Sequence, residues 1–373
     1  MTDQKMTGRP IARRQLLAGA GVAGAGVLAA PHVARAQTRQ VRLATSWPKG
    51  TPGVGVNAQR FADMVTAMSG GRLDIRLYGA GELVPPFEVF DAVGAGTVEM
   101  GHATPYYWTS KNQAFNFFTG VPFGLSGHEH AAWIYFGGGQ ELWEKAYAPF
   151  NVVPFYAGSS GPQAGGWFTK EINSLDDLAG VKMRIAGLGG EVLRRLGVSP
   201  VSMPPGEIPQ ALSSGLVDAV EWIGPWNDLA FGLYRNASYY YVPAFHEPGP
   251  ALEVLCNADF LAELDDDLKA IVSAAAKATS IESYADFTYN NIEALPQLMD
   301  GKGVELRTWP EDVIRAMGRE SEPVLAELAE ANAEAREVYD SFIAFRDKAA
   351  DYAARAGDLV SLELRRTGLD AAG

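Results

Sequence analysis

The sequence predicts an α/β protein built as two lobes, and three observations carry that expectation. Strand-like apolar runs alternate with helix-period segments from residue 41 onward, an order that builds mostly parallel sheets covered by helices. The roughly 340 residues that follow an N-terminal leader exceed what a single core usually holds. Gly and Pro bound most of the short runs, as they do where strands give way to loops.

Residues 1–36 stand outside the predicted fold. A basic start, a stretch without charge over 15–33 and the close Ala34-Arg35-Ala36 read as a cleavable signal peptide. The pair Arg13-Arg14 followed by Gln15-Leu16-Leu17 resembles a twin-arginine signal, which implies export to the periplasm. Gly19, Gly21 and Gly24 match a dinucleotide-binding spacing, but they lie inside the leader with no strand before them.

In the remaining chain, 41–46 reads as a buried strand, 54–68 as an amphipathic helix and 73–78 as a second strand. A helix at 86–93 and a strand at 98–103 follow, so that 37–160 forms lobe I. A second α/β unit over 161–248 forms lobe II. Residues 251–256 read as a strand returning to the first lobe, to which 249–315 is assigned, with one further strand at 304–308. From 316 to 373 a helical tail repeats apolar residues three and four apart, among them Val324, Leu328, Val338, Phe342 and Phe345. Ligands of α/β sheets bind beyond the carboxyl ends of strands, which singles out the loops after Ser46, Ala103, Gly161, Ile185 and Trp222.

Charge narrows the function. The full sequence carries −13, and the leader takes away Lys5, Arg9, Arg13, Arg14 and Arg35 against Asp3 alone, leaving the mature chain more negative still. So acidic a chain excludes nucleic acid and anionic lipid as partners, and any anion it holds needs a local positive centre. The single Cys256 excludes an internal disulfide and reads as a small buried apolar residue. His128-Glu129-His130 lacks a third metal ligand and reads as a helix start after Gly127. Gly158-Ser159-Ser160-Gly161 lacks the spacing of a nucleophile elbow.

The polar residues that remain converge. Gln163-Ala164-Gly165-Gly166-Trp167-Phe168, Val181-Lys182-Met183-Arg184-Ile185 and Val217-Asp218-Ala219-Val220-Glu221-Trp222 are three successive strand-like segments. Arg184 offers a planar charged fork suited to a carboxylate, either of a ligand or of another side chain. Glu221 ends an apolar run where an unpaired carboxylate is costly, so Arg184 or a bound cation must meet it.

These segments, with Gly96-Thr97-Val98-Glu99-Met100 and Val121-Pro122-Phe123-Gly124, resemble the solute receptors of tripartite ATP-independent periplasmic (TRAP) transporters over 41–345. The resemblance is narrowest to the branch that binds 2-oxo or 2-hydroxy monocarboxylates with a metal cation. It implies a type II-like periplasmic binding fold, with an interlobe cleft and long C-terminal helices. The ligand would be delivered to a membrane permease, without catalysis. It also implies that Arg184 clamps the ligand carboxylate, with Gln163, Tyr107, Trp222 and Phe245 around the ligand. The cation would be held by the Glu221 carboxylate, the Gln163 side-chain oxygen and the Trp222 carbonyl. Oxygen ligation of this kind suits sodium, or calcium as the alternative. The tail packs on its own lobes or, as the branch allows, is exchanged in a homodimer. Rival readings are a dicarboxylate, sugar-acid or aromatic-carboxylate receptor, and an exported carboxylate-processing enzyme.

Overall fold

The computed structural model describes residues 38–370, so the signal peptide expected over 1–36 lies outside the described residues. In chain order the strands are β1 (Arg39–Thr45), β2 (Leu73–Tyr78), β3 (Met100–Ala103), β4 (Val152–Ser159), β5 (Gly166–Phe168) and β6 (Lys182–Arg184). They continue with β7 (Ser199–Val201), β8 (Ala219–Val220), β9 (Tyr239–Tyr241), β10 (Ala251–Asn257) and β11 (Glu305–Arg307). They build two sheets, ordered β2-β1-β3-β10-β4 and β11-β9-β5-β8-β6-β7.

Both sheets are mixed rather than mostly parallel. β1 runs parallel to β2 and β3, but β10 is antiparallel to β3 and β4, and β5 is antiparallel to β8 and β9. The reversed strands β5 and β10 follow two of the three places where the chain passes between sheets. A strand that arrives from the other sheet is not the end of a βαβ crossover and is free to pair in the opposite sense. The strand expected at 304–308 forms as β11, but it pairs with β9 at the edge of the second sheet and does not belong with the first.

Local chemistry explains the elements that frame the cleft. The helix Val54–Met68 buries Val54, Ala58, Phe61, Ala62 and Val65, an apolar stripe at helical spacing. It starts at Gly53, whose φ of 67° and contact with Phe287 leave no room for a side chain: a Cβ built there would lie 2.2 Å from the ring. The helix at Gly127–Phe136 is opened by a capping box between Ser126 and Glu129, which gives the His128-Glu129-His130 run its structural role. The 34-residue helix Asp266–Met299 packs on β4 and Val54–Met68, and also on the short helix Pro225–Phe231 beside the second sheet. It therefore straps both sheets from one side.

The tail divides between the two sheets. The helix Glu311–Ala329 is tied to the second through Arg195 and Glu327. The helix Ala333–Arg355 packs beside the first, where Phe342 meets Trp133 and Phe117, and the Trp133 indole donates to Ser341. Cys256 is fully buried, and burial pushes its thiol pKa up, so it is an inert packing residue.

Candidate functional site

The short strands of the second sheet place the site. β6 ends on Arg184 and β8 ends on Val220, so Arg184 and Glu221 emerge side by side where two parallel strands finish, with the Glu221 amide donating to the Arg184 carbonyl at 2.9 Å. The Arg184 guanidinium donates through Nη1 to the Glu221 carbonyl at 2.6 Å and to Glu221 Oε2 at 2.9 Å. Both side chains are almost fully buried, at 2% and 1% exposure. Burial opposes the arginine's charge, but Glu221 and its neighbours outweigh it, and the guanidinium pKa is raised. Its Cζ also stands 5.7 Å from the Trp222 ring.

The direct Arg184–Glu221 pair satisfies only half of each group. Arg184 Nε and Glu221 Oε1 are buried without a hydrogen-bond partner, and so are Gln163 Oε1, both oxygens of Glu247, the Tyr107 hydroxyl, the Trp222 indole nitrogen and both nitrogens of His246. Each unmet buried group costs about 1–3 kcal/mol, more when charged, so such a set is not a stable interior. Gln163 is held in place through Nε2, which donates to Ser160 Oγ at 3.1 Å, and this leaves its oxygen free.

Glu221, His246 and Glu247 bring one ligand atom each within 4.8 Å of one another, and His246 Nε2 lies 3.9 Å from Glu221 Oε1. Burial pushes the Glu247 carboxyl well above the usual range, and the Glu221 charge adds to the shift. The unpartnered oxygens of Gln163, Glu221 and Glu247 form an oxygen-rich donor set that fits a hard cation better than zinc or copper.

A small cavity of about 20 Å³ lies against these groups, lined by Gln163, Trp222, Glu247, Tyr106 and Tyr107, with Trp47, Val54, Ile223 and Leu252 as apolar walls. Tyr106 and Tyr107 also line a 410 Å³ opening between the sheets, whose far wall is the segment from Ile185 to Glu191. Burial raises both tyrosine pKa values, so the phenols stay neutral. Trp47 is fixed by its indole, which donates to His102 Nδ1 at 2.9 Å; burial lowers the His102 pKa to about 3 and keeps that acceptor neutral. A larger groove of 680 Å³ carries Lys49 and Arg60, but these already pair with Glu82, Glu282 and Asp286.

Of the residues picked out from sequence, Gln163, Tyr107 and Trp222 line the cavity, and Arg184 and Glu221 pair directly. Phe245 does not join them. It is buried against Phe123 and His246 beside the cavity lining, with the Phe123 amide donating to the Phe245 carbonyl at 2.8 Å. Glu247 is the residue the sequence reading left out. The signal for it was a charged residue in the Pro243–Pro250 loop that crosses back into β10, a position where both walls are protein.

Two further buried carboxyls bond residues next to this cluster. Asp228 accepts from Trp167 Nε1 and the Tyr240 hydroxyl, and Glu253 accepts from Trp108 Nε1 and the Tyr147 hydroxyl. Burial raises Asp228 to about 7 and Glu253 to about 8. In the unfolded chain both ionise near pH 4. Between there and pH 7–8 the folded protein keeps protons that the unfolded chain has lost. Stability is therefore expected to fall as pH rises through that window, by at most about 1.4 kcal/mol per unit for each group, and to level off above it. Thermal melts from pH 5 to 9 should show this slope, and Glu253→Gln should flatten it.

The sequence and the two-sheet fold both have known relatives. Residues 43–332 match the family described as bacterial extracellular solute-binding protein, family 7. The chain is 44% identical over 305 residues to the monocarboxylate 2-oxoacid-binding periplasmic protein all3028 of Nostoc, covering 82% of this chain and 83% of that protein. It superposes with a TM-score of 0.87 and 35% identity on a TRAP transporter solute-binding protein from Bordetella bronchiseptica, a mixed-occupancy dimer with copurified calcium and picolinate in one site; 90% of this chain and 99% of that one are covered. A TRAP periplasmic solute-binding protein from Pseudoalteromonas atlantica, with bound sodium and pyruvate, gives 0.84 at 36% identity over 88% and 99%. With matched sequence over most of its length and the same two-sheet fold, the chain belongs to the bacterial extracellular solute-binding proteins of family 7.

Proposed function

We propose that this protein is a periplasmic receptor that binds a small 2-oxo monocarboxylate together with a hard cation, sodium or calcium, and hands the acid to a TRAP membrane permease. The observation that carries the reading is the set of buried, unpartnered oxygens of Gln163, Glu221 and Glu247 beside a half-used guanidinium. A cation and a carboxylate together would satisfy all of them. Arg184 would receive the ligand carboxylate on its free edge, while Glu221 Oε1, Gln163 Oε1 and the Trp222 carbonyl would hold the cation. When bound, that ion supplies positive charge to the oxygens of the acid. Tyr107 would donate its neutral hydroxyl to the same anion.

Charge balance suggests how either cation is accommodated. With Glu247 protonated, Arg184 and a monovalent ion offset Glu221 and one ligand carboxylate. With Glu247 ionised, a divalent ion restores the balance. A second ligand carboxylate would find no further positive group here, which disfavours dicarboxylates.

Support for export comes from the leader and from the family. No helix among the described residues is long and apolar enough to cross a membrane. A second copy of the chain is a further partner in this reading, because the last helix, Asp358–Asp370, leaves Leu359, Leu362 and Leu364 at 61%, 50% and 69% exposure. Calorimetry with pyruvate, 2-oxobutyrate, lactate and succinate in sodium or calcium tests the function. Micromolar binding of the monocarboxylates, weak binding of succinate and recovery of the acids unchanged are expected. Absence of binding by every monocarboxylate, or chemical conversion of one, would reject it.

A further inference from the structure

We infer that Asp228, which touches neither the cavity nor the candidate cation ligands, is the positioning residue that sets the spacing of Gln163, Glu221 and Trp222. The inference rests on the proposed cation site and assigns the support behind it.

Asp228 sits on the short helix Pro225–Phe231 at 1% exposure and is bonded on three sides. Oδ2 accepts from Trp167 Nε1 at 2.9 Å and from the Tyr240 hydroxyl at 2.8 Å, while Oδ1 faces the Ile223 amide at 3.4 Å. The first two donors come from neighbouring strands. Trp167 of β5 and Tyr240 of β9 are cross-strand partners whose rings stack 4.1 Å apart, so the carboxylate is pinned to the sheet itself. The third donor belongs to the turn directly after Glu221 and Trp222.

Ile223 carries the link onward. Its carbonyl accepts from the Ala164 amide at 2.9 Å, so the residue held by Asp228 in turn holds the backbone next to Gln163. One side chain thus ties together, through Ile223, the two segments that carry all three candidate ligands. On the other side β8 fixes Glu221 to Arg184 through main-chain pairing. Without Asp228, the Gln163 and Glu221 oxygens would still be present and β5 would still pair with β8, but the Ile223 turn between them would lose the side-chain tether that holds it to Trp167 and Tyr240. A cation site of oxygen ligands tolerates little spread in the distance between its ligands.

Glu253 provides the matched control. It is equally buried and likewise bonded by one tryptophan and one tyrosine, but it supports the turn of Tyr106 and Tyr107 in the first sheet. Substituting Asp228→Asn places an amide N–H against the Trp167 or the Ile223 N–H, whereas Glu253→Gln removes the charge but can donate to the Tyr147 hydroxyl, which is able to accept. The test measures, for wild type and each variant, the rise in melting temperature on adding calcium or sodium alone and the affinity for pyruvate with the cation present. The expected result for Asp228→Asn is loss of most of the cation-induced shift and at least a tenfold weaker affinity, with the cation shift of Glu253→Gln unchanged.

Equal loss of the cation shift in both variants would overturn the inference, as would a wild-type response in Asp228→Asn. Should Asp228→Asn fail to fold, Tyr240→Phe removes one tether only and is expected to weaken the cation response severalfold; an unaltered response there also overturns it. A wild-type protein that answers neither cation nor pyruvate would instead contradict the proposed function, so the two failures are distinguishable.

Discussion

Replacing Arg184 by Ala is expected to abolish ligand binding, weakening affinity by at least about 100-fold, and to lower stability by about 3–5 kcal/mol as well. Both effects have one origin. The guanidinium pairs with Glu221 at 2.9 Å in a region where both side chains are nearly inaccessible to water. A buried ion pair of this kind is a poor source of stability, because removing both charges from water cancels most of their attraction. In the proposed reading, the unpartnered Nε is the part of the fork that receives the ligand.

Truncation leaves Glu221 without its neutralising partner and the ligand carboxylate without its fork. Arg184→Lys separates the two roles. A lysine can restore a charge near Glu221 and recover part of the stability, but it cannot bond Glu221 and a carboxylate along two edges at once, so binding should stay weak. Calorimetry and thermal melts on the two variants check this. Affinity within threefold of wild type in Arg184→Ala would refute it.

Much of the frame was legible because periodicity encodes burial. The helix Val54–Met68 was read from its apolar spacing, and the ends of β6 and β8 from short apolar runs stopping at a charged residue. Strand direction was not legible. The buried run of β10 reads the same whether it runs with or against its neighbours, and only the passage of the chain between sheets decides it. Glu247 escaped for a related reason. A glutamate beside Pro248 and Gly249 looks like an exposed turn, and it becomes buried only where two crossing segments meet, at the bond from the Gln163 amide to the Glu247 carbonyl. The contact of Phe245 with Phe123 was not legible either, because the surroundings of a loop side chain follow from long-range contacts that no local pattern records.

Glu221→Gln is expected to have the second major effect, and a different one. The amide keeps the size of the side chain and can still accept from Arg184, but it leaves the buried guanidinium without its countercharge, so the fold should survive at a clear cost in stability. What disappears is the negative oxygen that balances a cation. Oδ- and Oε-type amide oxygens, such as that of Gln163, remain as ligands, but the site loses its charge and with it most of its affinity for a hard ion. Ligand binding should then become weak and indifferent to added sodium or calcium.

Cation and acid are coupled by linkage: the factor by which the ion tightens the acid equals the factor by which the acid tightens the ion. The most direct measurement is therefore a pyruvate titration of wild type and Glu221→Gln across a series of calcium and sodium concentrations. The expected result is an affinity that rises at least about tenfold with cation in wild type, within the usual range of such couplings, and does not change in Glu221→Gln. Pyruvate affinity that is independent of cation in wild type, or cation-dependent to the same extent in both proteins, would contradict a shared site for ion and acid.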